Sequence, residues 1–345
     1  MDDPQTWVHY GAIDPELAEI FRQDNTPKFA KDNKISSIPT TRTAWNPIYK
    51  ELAANALANA QKNGVKGQEI YIPRRDGSLA RCLLYQPEQS PPSASPLVVF
   101  FHGGGFCFGC PEMESINCIN VVQTYRAVAI SVEYRLSPES RFPGAIHDSW
   151  DALHWIAENA SQLSSDPSTG FIIGGTSAGG NISAVVSHLA RDEKLSPALT
   201  GVYLNIPTVL APEVVPEKYR SMYLSRQQNK DAPVLTKANM DMYKEAYAPD
   251  PRSELWSPFN WPSGHAKLPP HYLQVCGLDL LRDEALIYER VLRRDYNIPT
   301  KVDIYPGLPH VFYANFPQHS RSKEYAKDTT QGIGWLLEAQ RLSDQ

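Results

Sequence analysis

Cysteine is scarce in this sequence and odd in number. Five cysteines in 345 residues cannot pair into a disulfide framework. Cys107 and Cys110 form a lone C-x-x-C with no second Cys/His pair at zinc-ligand spacing and no thioredoxin-like surroundings. They read as two small apolar side chains near a pocket wall. Long apolar runs are also missing. None approaches the roughly 20 residues of a membrane span, and the acidic start Met1-Asp2-Asp3-Pro4 is followed by no cleavable apolar segment. A soluble, cytoplasmic protein is expected. Basic runs are absent too: 33 Lys and Arg stand against 38 Asp and Glu, a net charge of −5. With no basic stripe to neutralise phosphates, a nucleic-acid partner is excluded. No repeat is found, and the one low-complexity tract, Ser90-Pro-Pro-Ser-Ala-Ser-Pro96, reads as a short surface linker.

What is present is apolar mass. At 42% hydrophobic content the chain can bury a sizeable core, as one large α/β domain with insertions or as two smaller ones, and no composition break forces two. The rest is organised around Phe171-Ile-Ile-Gly-Gly-Thr-Ser-Ala-Gly-Gly-Asn181. Phe171, Ile172 and Ile173 form the apolar run of a strand buried on both faces. Ile182, Val185, Val186 and Leu189 recur at helical spacing, so a helix begins just behind Ser177 and turns its N-terminus toward it. Between them Gly175-Thr-Ser-Ala-Gly179 reads G-x-S-x-G, a turn so sharp that the residues flanking the serine must lack a Cβ.

Around that stretch the chain alternates. Residues 1–65 carry helical spacing at Ile13 to Phe21 and Ala44 to Ala60, joined by Ile38-Pro-Thr-Thr-Arg42. Gln68 to Ile72 and Leu79 to Tyr85 predict an antiparallel hairpin turning at Arg75-Asp-Gly77. From Pro96 strands alternate with helices: strands at 97–101, 127–132, 171–174, 201–206, 272–276 and 301–305, helices at 144–159, behind Ser177, at 283–296, and a closing helix through Trp335 and Leu336. The pattern predicts a mostly parallel sheet flanked by helices. Residues 211–262 break the alternation and read as a mainly helical insertion.

A serine nucleophile needs a base, and acyl transfer needs donors for an oxyanion. His102-Gly-Gly-Gly105 directly follows the 97–101 strand and has the form of the H-G-G-G loop that accompanies this elbow in lipases and esterases. His102 and Gly103 open that loop, and His102 can serve simply to brace it. Among nine histidines, His310 is the candidate base, because it lies in a loop just past a strand. Asp279, in Gly277-Leu-Asp279, is the candidate acid for the same reason. Ser177, Asp279 and His310 then all fall beyond the carboxyl ends of strands, where open α/β sheets place their sites. His147, His154 and His188 lie in predicted helices and read as packing or surface residues. Asp283 reads as a cap of the 283–296 helix.

Taken together, His102-Gly-Gly-Gly105, Tyr134-Arg-Leu-Ser-Pro-Glu139 with Phe142-Pro143, Gly175-Thr-Ser-Ala-Gly-Gly-Asn181, Gly277-Leu-Asp279 to Asp283-Glu284, and His310 resemble the hormone-sensitive-lipase-like branch of the α/β-hydrolases. The resemblance spans residues 102–310 in the family's order. It implies an α/β-hydrolase fold, with residues 1–65 as the N-terminal part of a helical cap and 66–345 as the catalytic domain, into which 211–262 is inserted as the rest of the cap. It implies a carboxylesterase with Ser177, Asp279 and His310 as triad and the N–H groups of Gly104, Gly105 and Ala178 as oxyanion hole, working without metal or organic cofactor on a small-molecule ester. Many members carry Asp before the serine, where this chain has Thr176, which bears on pH behaviour and substrate preference. Some plant relatives are dehydratases, and others are receptors that lack the histidine. A dehydratase or lyase, an acyltransferase, or a non-catalytic ligand-binding receptor are therefore the rival readings. Trp7, Tyr10, Phe106, Phe108 and Trp256 suggest a pocket for an apolar or aromatic acyl or alcohol portion. The oligomeric state is left open, a homodimer included.

Overall fold

A computed structural model of the chain describes residues 3–23, 37–89 and 94–343, with side chains up to residue 339. Part of the Ser90–Pro96 linker and the first two residues lie outside the described residues. Eight strands form one sheet: β1 (Val65–Pro73), β2 (Leu79–Pro87), β3 (Leu97–Phe101), β4 (Val128–Val132), β5 (Phe171–Thr176), β6 (Gly201–Asn205), β7 (His271–Leu278) and β8 (Thr300–Pro309). Their spatial order is β1-β2-β4-β3-β5-β6-β7-β8. β1 pairs antiparallel with β2, and β2 antiparallel with β4. Every later pairing is parallel.

Strand alternation supplies both halves of the core, since successive side chains leave opposite faces. On β3, Val99 and Phe101 join Ile146, Leu153, Ile182, Val186 and Leu286 of the helices 144–158, 178–192 and 282–295. Val98 and Phe100 join Ala60, Cys118, Val122, Ile333 and Leu336 of the helices 38–61, 115–125 and 320–343. Because helices cover both faces, the parallel strands read as unbroken apolar runs. β5 lies near the middle of the sheet, so the turn that leaves it is held on both sides.

The expected elements appear with several shifts of boundary, among them β7 and β8, which run on to Leu278 and Pro309. The tract Ile38-Pro-Thr-Thr-Arg42 is not a linker but the first turns of the helix Ile38–Gln61. Pro39 is accommodated because a first-turn N–H has no helical partner to lose, and the Ser37 hydroxyl accepts from the Thr40 N–H at 3.3 Å. β1 begins at Val65, three residues before the apolar alternation starts, because Val65 to Gly67 pair with Pro87 to Tyr85. Residues 211–262 contain no strand; they hold the helix Lys237–Tyr247, a turn of α-helix at Ser225–Gln228 and three short 3-10 segments.

Candidate active site

Ser177 stands between β5 and the 178–192 helix with φ 56° and ψ −109°, a conformation that costs a non-glycine residue energy and persists only where its surroundings enforce it. The enforcement is visible. Its N–H donates to the Asn205 carbonyl on neighbouring β6 at 2.8 Å. A Cβ on Gly175 would stand 2.5 Å from the Phe101 carbonyl oxygen and from the Gly179 backbone, and one on Gly179 would overlap the Phe101 carbonyl outright. Glycine is therefore required on both sides of the turn. Ala178 opens the helix, so its N–H has no acceptor within that helix.

Asp279 directly follows β7 and His310 directly follows β8. The His310 Nδ1 lies 2.6 Å from Asp279 Oδ2, and its Nε2 lies 3.0 Å from Ser177 Oγ. A carboxylate only accepts, so Nδ1 carries the proton and the Nε2 lone pair is left facing the serine hydroxyl. Asp279 is itself fixed: its Oδ1 accepts from the Leu281 N–H at 3.0 Å, and its carbonyl accepts from Asn229 Nδ2 at 2.7 Å. Both residues are buried, Asp279 at 1% and His310 at 5% exposure. The sheet thus brings three residues from three loops, 102 and 31 positions apart in sequence, into one hydrogen-bonded row.

The glycine loop runs alongside. Gly104 has φ 114° and a Cβ there would strike the Phe108 carbonyl; a Cβ on Gly105 would lie 2.6 Å from the Tyr243 ring. The Gly104 carbonyl accepts from the N–H groups of Cys107 and Phe108 at 3.0 and 2.9 Å, which folds the loop back on itself. Gly103 packs against Thr176. His102 lies beneath the loop, fully buried, its Nδ1 2.7 Å from the Gly103 carbonyl and its ring stacked on Tyr134 at 4.2 Å. Burial pushes its pKa down to about 4, against a small opposing effect of the Gly103 bond, so it is a neutral brace at physiological pH.

Ser177, His310 and the glycine loop face a cavity of about 1080 Å³. Phe106, Phe108 and Trp256 line it, and so do Ser177, His310, Ala178 and Gly103 to Gly105. Trp7 and Tyr10 do not. Trp7 is 2% exposed in the core, and the Tyr10 carbonyl packs against Gly277, because the 3-10 helix Pro4–Gly11 lies against β7, β8 and the 225–228 turn. The wall includes residues that sequence reasoning missed: Trp45, Ile48 and Leu52 of the 38–61 helix, and Met240 and Tyr243 of the 237–247 helix. Their helical spacing was a usable signal, since 45, 48 and 52 share one face. Asp283 also differs from expectation. Its carboxylate accepts from the N–H groups of Leu224 and Ser225 at 2.7 and 2.6 Å and pairs with Arg282 at 2.7 Å, so it caps the short 225–228 helix and ties it to the core, not its own helix. Cys107 and Cys110 are buried, and burial holds both thiols up at about 12.

A family model described as alpha/beta hydrolase fold matches residues 98–314. The chain belongs to the α/β-hydrolase family. Within it, an AB hydrolase superfamily protein of Schizosaccharomyces pombe is 37% identical to this α/β-hydrolase over 333 residues, 96% of each chain. The versiconal hemiacetal acetate esterase of Dothistroma septosporum is 32% identical over 263 residues, 76% of this chain and 79% of that one. Among solved structures, vibralactone cyclase matches with a TM-score of 0.86 at 30% identity, over 96% of this chain and 97% of the other. The motifs at 102–105, 175–181 and 277–279 are those of the carboxylesterase-type, hormone-sensitive-lipase-like branch of this family.

Proposed function

We propose that this esterase of the α/β-hydrolase kind cleaves small to medium carboxylic esters through an acyl-enzyme on Ser177. The observation that carries the reading is the row Asp279–His310–Ser177, at 2.6 and 3.0 Å, opening on the cavity. His310 Nε2 takes the Ser177 proton as Oγ attacks the ester carbonyl, while Asp279 holds the ring and stabilises its cation. The N–H groups of Gly104, Gly105 and Ala178 receive the oxyanion. The protonated His310 then hands its proton to the departing alcohol, and water repeats the attack to release the acid.

The cavity walls favour an apolar or aromatic portion in the substrate: Trp45, Phe108, Met240, Tyr243 and Trp256 line it. We assign the 38–61 helix and the 211–262 insertion as the two parts of a cap over the core that begins at residue 66. The test is an organophosphonate adduct at Ser177 by intact mass, with turnover of p-nitrophenyl esters of graded chain length; no adduct and no turnover would overturn the reading. The likeness to vibralactone cyclase favours one second reading, in which a hydroxyl of the acyl group, not water, captures the acyl-enzyme. Product analysis separates the two, a cyclic ester standing against a free acid.

A further inference from the structure

Glu114 is a buried carboxyl with no cation beside it in its hydrogen bonds. It is 2% exposed, its Oε1 accepts from the Thr176 hydroxyl at 2.8 Å and its Oε2 from Asn117 Nδ2 at 2.7 Å. Thr176 is the residue before the nucleophile. Its single hydroxyl proton is committed to Glu114, so toward Asn205 it can only accept, and Asn205 Nδ2 lies 3.2 Å from it. That orients the Asn205 amide: Nδ2 also donates to the Tyr313 hydroxyl at 3.1 Å, and Oδ1 faces the Tyr325 hydroxyl. Tyr313 stands three residues beyond His310, stacked on Tyr325 with ring centroids 4.2 Å apart. The Asn205 carbonyl, for its part, holds the Ser177 N–H.

We propose that Glu114 is a positioning residue for the reaction: by accepting from Thr176 it sets the direction of a buried chain, Thr176–Asn205–Tyr313, that locks the nucleophile turn to the histidine loop. The proposal rests on the assignment of Ser177 and His310 above. The two residues leave strands three places apart in the sheet, β5 and β8, so strand pairing alone does not fix a 3.0 Å contact between their loops. The chain through Asn205 spans that gap without passing through the Ser177–His310 bond. Each link has one donor for one acceptor, and reversing the Thr176 hydroxyl would set two donors or two acceptors face to face. Such buried networks specify geometry strongly when every member is satisfied. Glutamine can keep the oxygen that accepts from Thr176 while its NH2 turns to Asn117, whose own amide can flip to accept.

The test compares Glu114→Ala, Thr176→Val and Glu114→Gln for kcat and KM on p-nitrophenyl butyrate, for the rate of phosphonate labelling at Ser177, and for Tm. Misplacing a reacting group by a fraction of an ångström costs about tenfold or more. Glu114→Ala and Thr176→Val should therefore lose at least about tenfold in kcat and in labelling rate with KM within about twofold, and Glu114→Gln should stay within about threefold of wild type. If Glu114→Ala does not fold, Thr176→Val carries the test. Wild-type kcat and labelling in the variants with only Tm lowered would reduce Glu114 to a structural role and overturn the proposal. A raised KM at unchanged kcat would make it a substrate contact and do the same, as would a glutamine variant as slow as alanine. Failure of the wild-type enzyme to label at Ser177 would instead sink the underlying assignment.

Discussion

At the scale of single residues, the proposed mechanism separates groups that react from groups that hold. Ser177→Ala removes one oxygen from a side chain whose backbone is fixed by Asn205 and by two glycines, so the fold should be unchanged. Ester turnover should fall on the order of 10⁴-fold or more; circular dichroism and kcat on a short-chain ester check both halves, and more than a tenth of wild-type kcat would contradict the assignment. The two neighbouring carboxylates should differ in kind. Asp279→Asn leaves Nδ1 of His310 without its acceptor and favours the wrong tautomer, which should lower kcat by roughly 10⁴-fold with little change in Tm. Asp283→Asn breaks a buried pair with Arg282 and weakens the cap of the 225–228 turn. Its expected cost is about 3 kcal/mol of stability, read by denaturant titration, with kcat of the folded fraction nearly kept.

At the scale of elements, the N-terminal 3-10 helix and the 38–61 helix do different work. The first packs its Tyr10 carbonyl against Gly277, and the residues just after it, Ala12 and Asp14, pack against Gly307; these are the glycines next to the Asp279 and His310 loops. The Asp14 N–H also donates to the Gly307 carbonyl at 3.1 Å. Deleting the first twelve residues should lower Tm and reduce kcat/KM for acetate, butyrate, octanoate and an aromatic ester by similar factors. Trp45→Ala opens the cavity wall beside Phe108, whose ring lies 5.4 Å away. It should cost about 1–3 kcal/mol in kcat/KM for octanoate and much less for acetate. An equal loss on both esters would show that the 38–61 helix does not select the acyl chain. The contrast also explains what could be read in the sequence. The elbow and glycine loop were legible because their glycines answer local collisions, as at Gly175 and Gly179. Asp279 and His310 were legible as loop residues just past strands, and β8 proves longer than read, so that His310 follows it at once. Trp7 and Tyr10 were misplaced because aromatic character says nothing about which layer a short helix joins. Glu114 left no signal, since its partner Thr176 is 62 positions away and only the sheet brings them together.

At the scale of the whole molecule, four buried imidazoles should govern behaviour in acid. His102, His265 and His271 are held down at about 4, chiefly by burial, and His188 is held well below the usual imidazole range by burial and by His265 at 2.9 Å. They occupy separate parts of the core: His102 under the glycine loop, His188 and His265 between the 178–192 helix and residues 259–265, and His271 at the start of β7. The folded state prefers each of them neutral. Unfolding frees them to take up protons near pH 6.5, so the unfolded chain binds more protons between about pH 6.5 and 4. Stability then rises with pH in that window and is lost as pH falls through it. The depressed carboxylates act elsewhere: Asp76 and Asp192 sit near 2, so their contribution is lost only below about pH 4. Tm should therefore fall as pH drops from 6 to 4.5, with unfolding at pH 5 taking up protons on balance, though fewer than four, because the buried Glu114 and Glu284 carboxyls, raised by burial, hold protons more readily in the fold. Calorimetry in buffers of different ionisation enthalpy counts them. His271→Leu, which removes one such group without adding a polar one, should reduce the uptake by about one proton. A Tm unchanged down to pH 4.5 would mean that these imidazoles are no harder to protonate in the fold than in the unfolded chain.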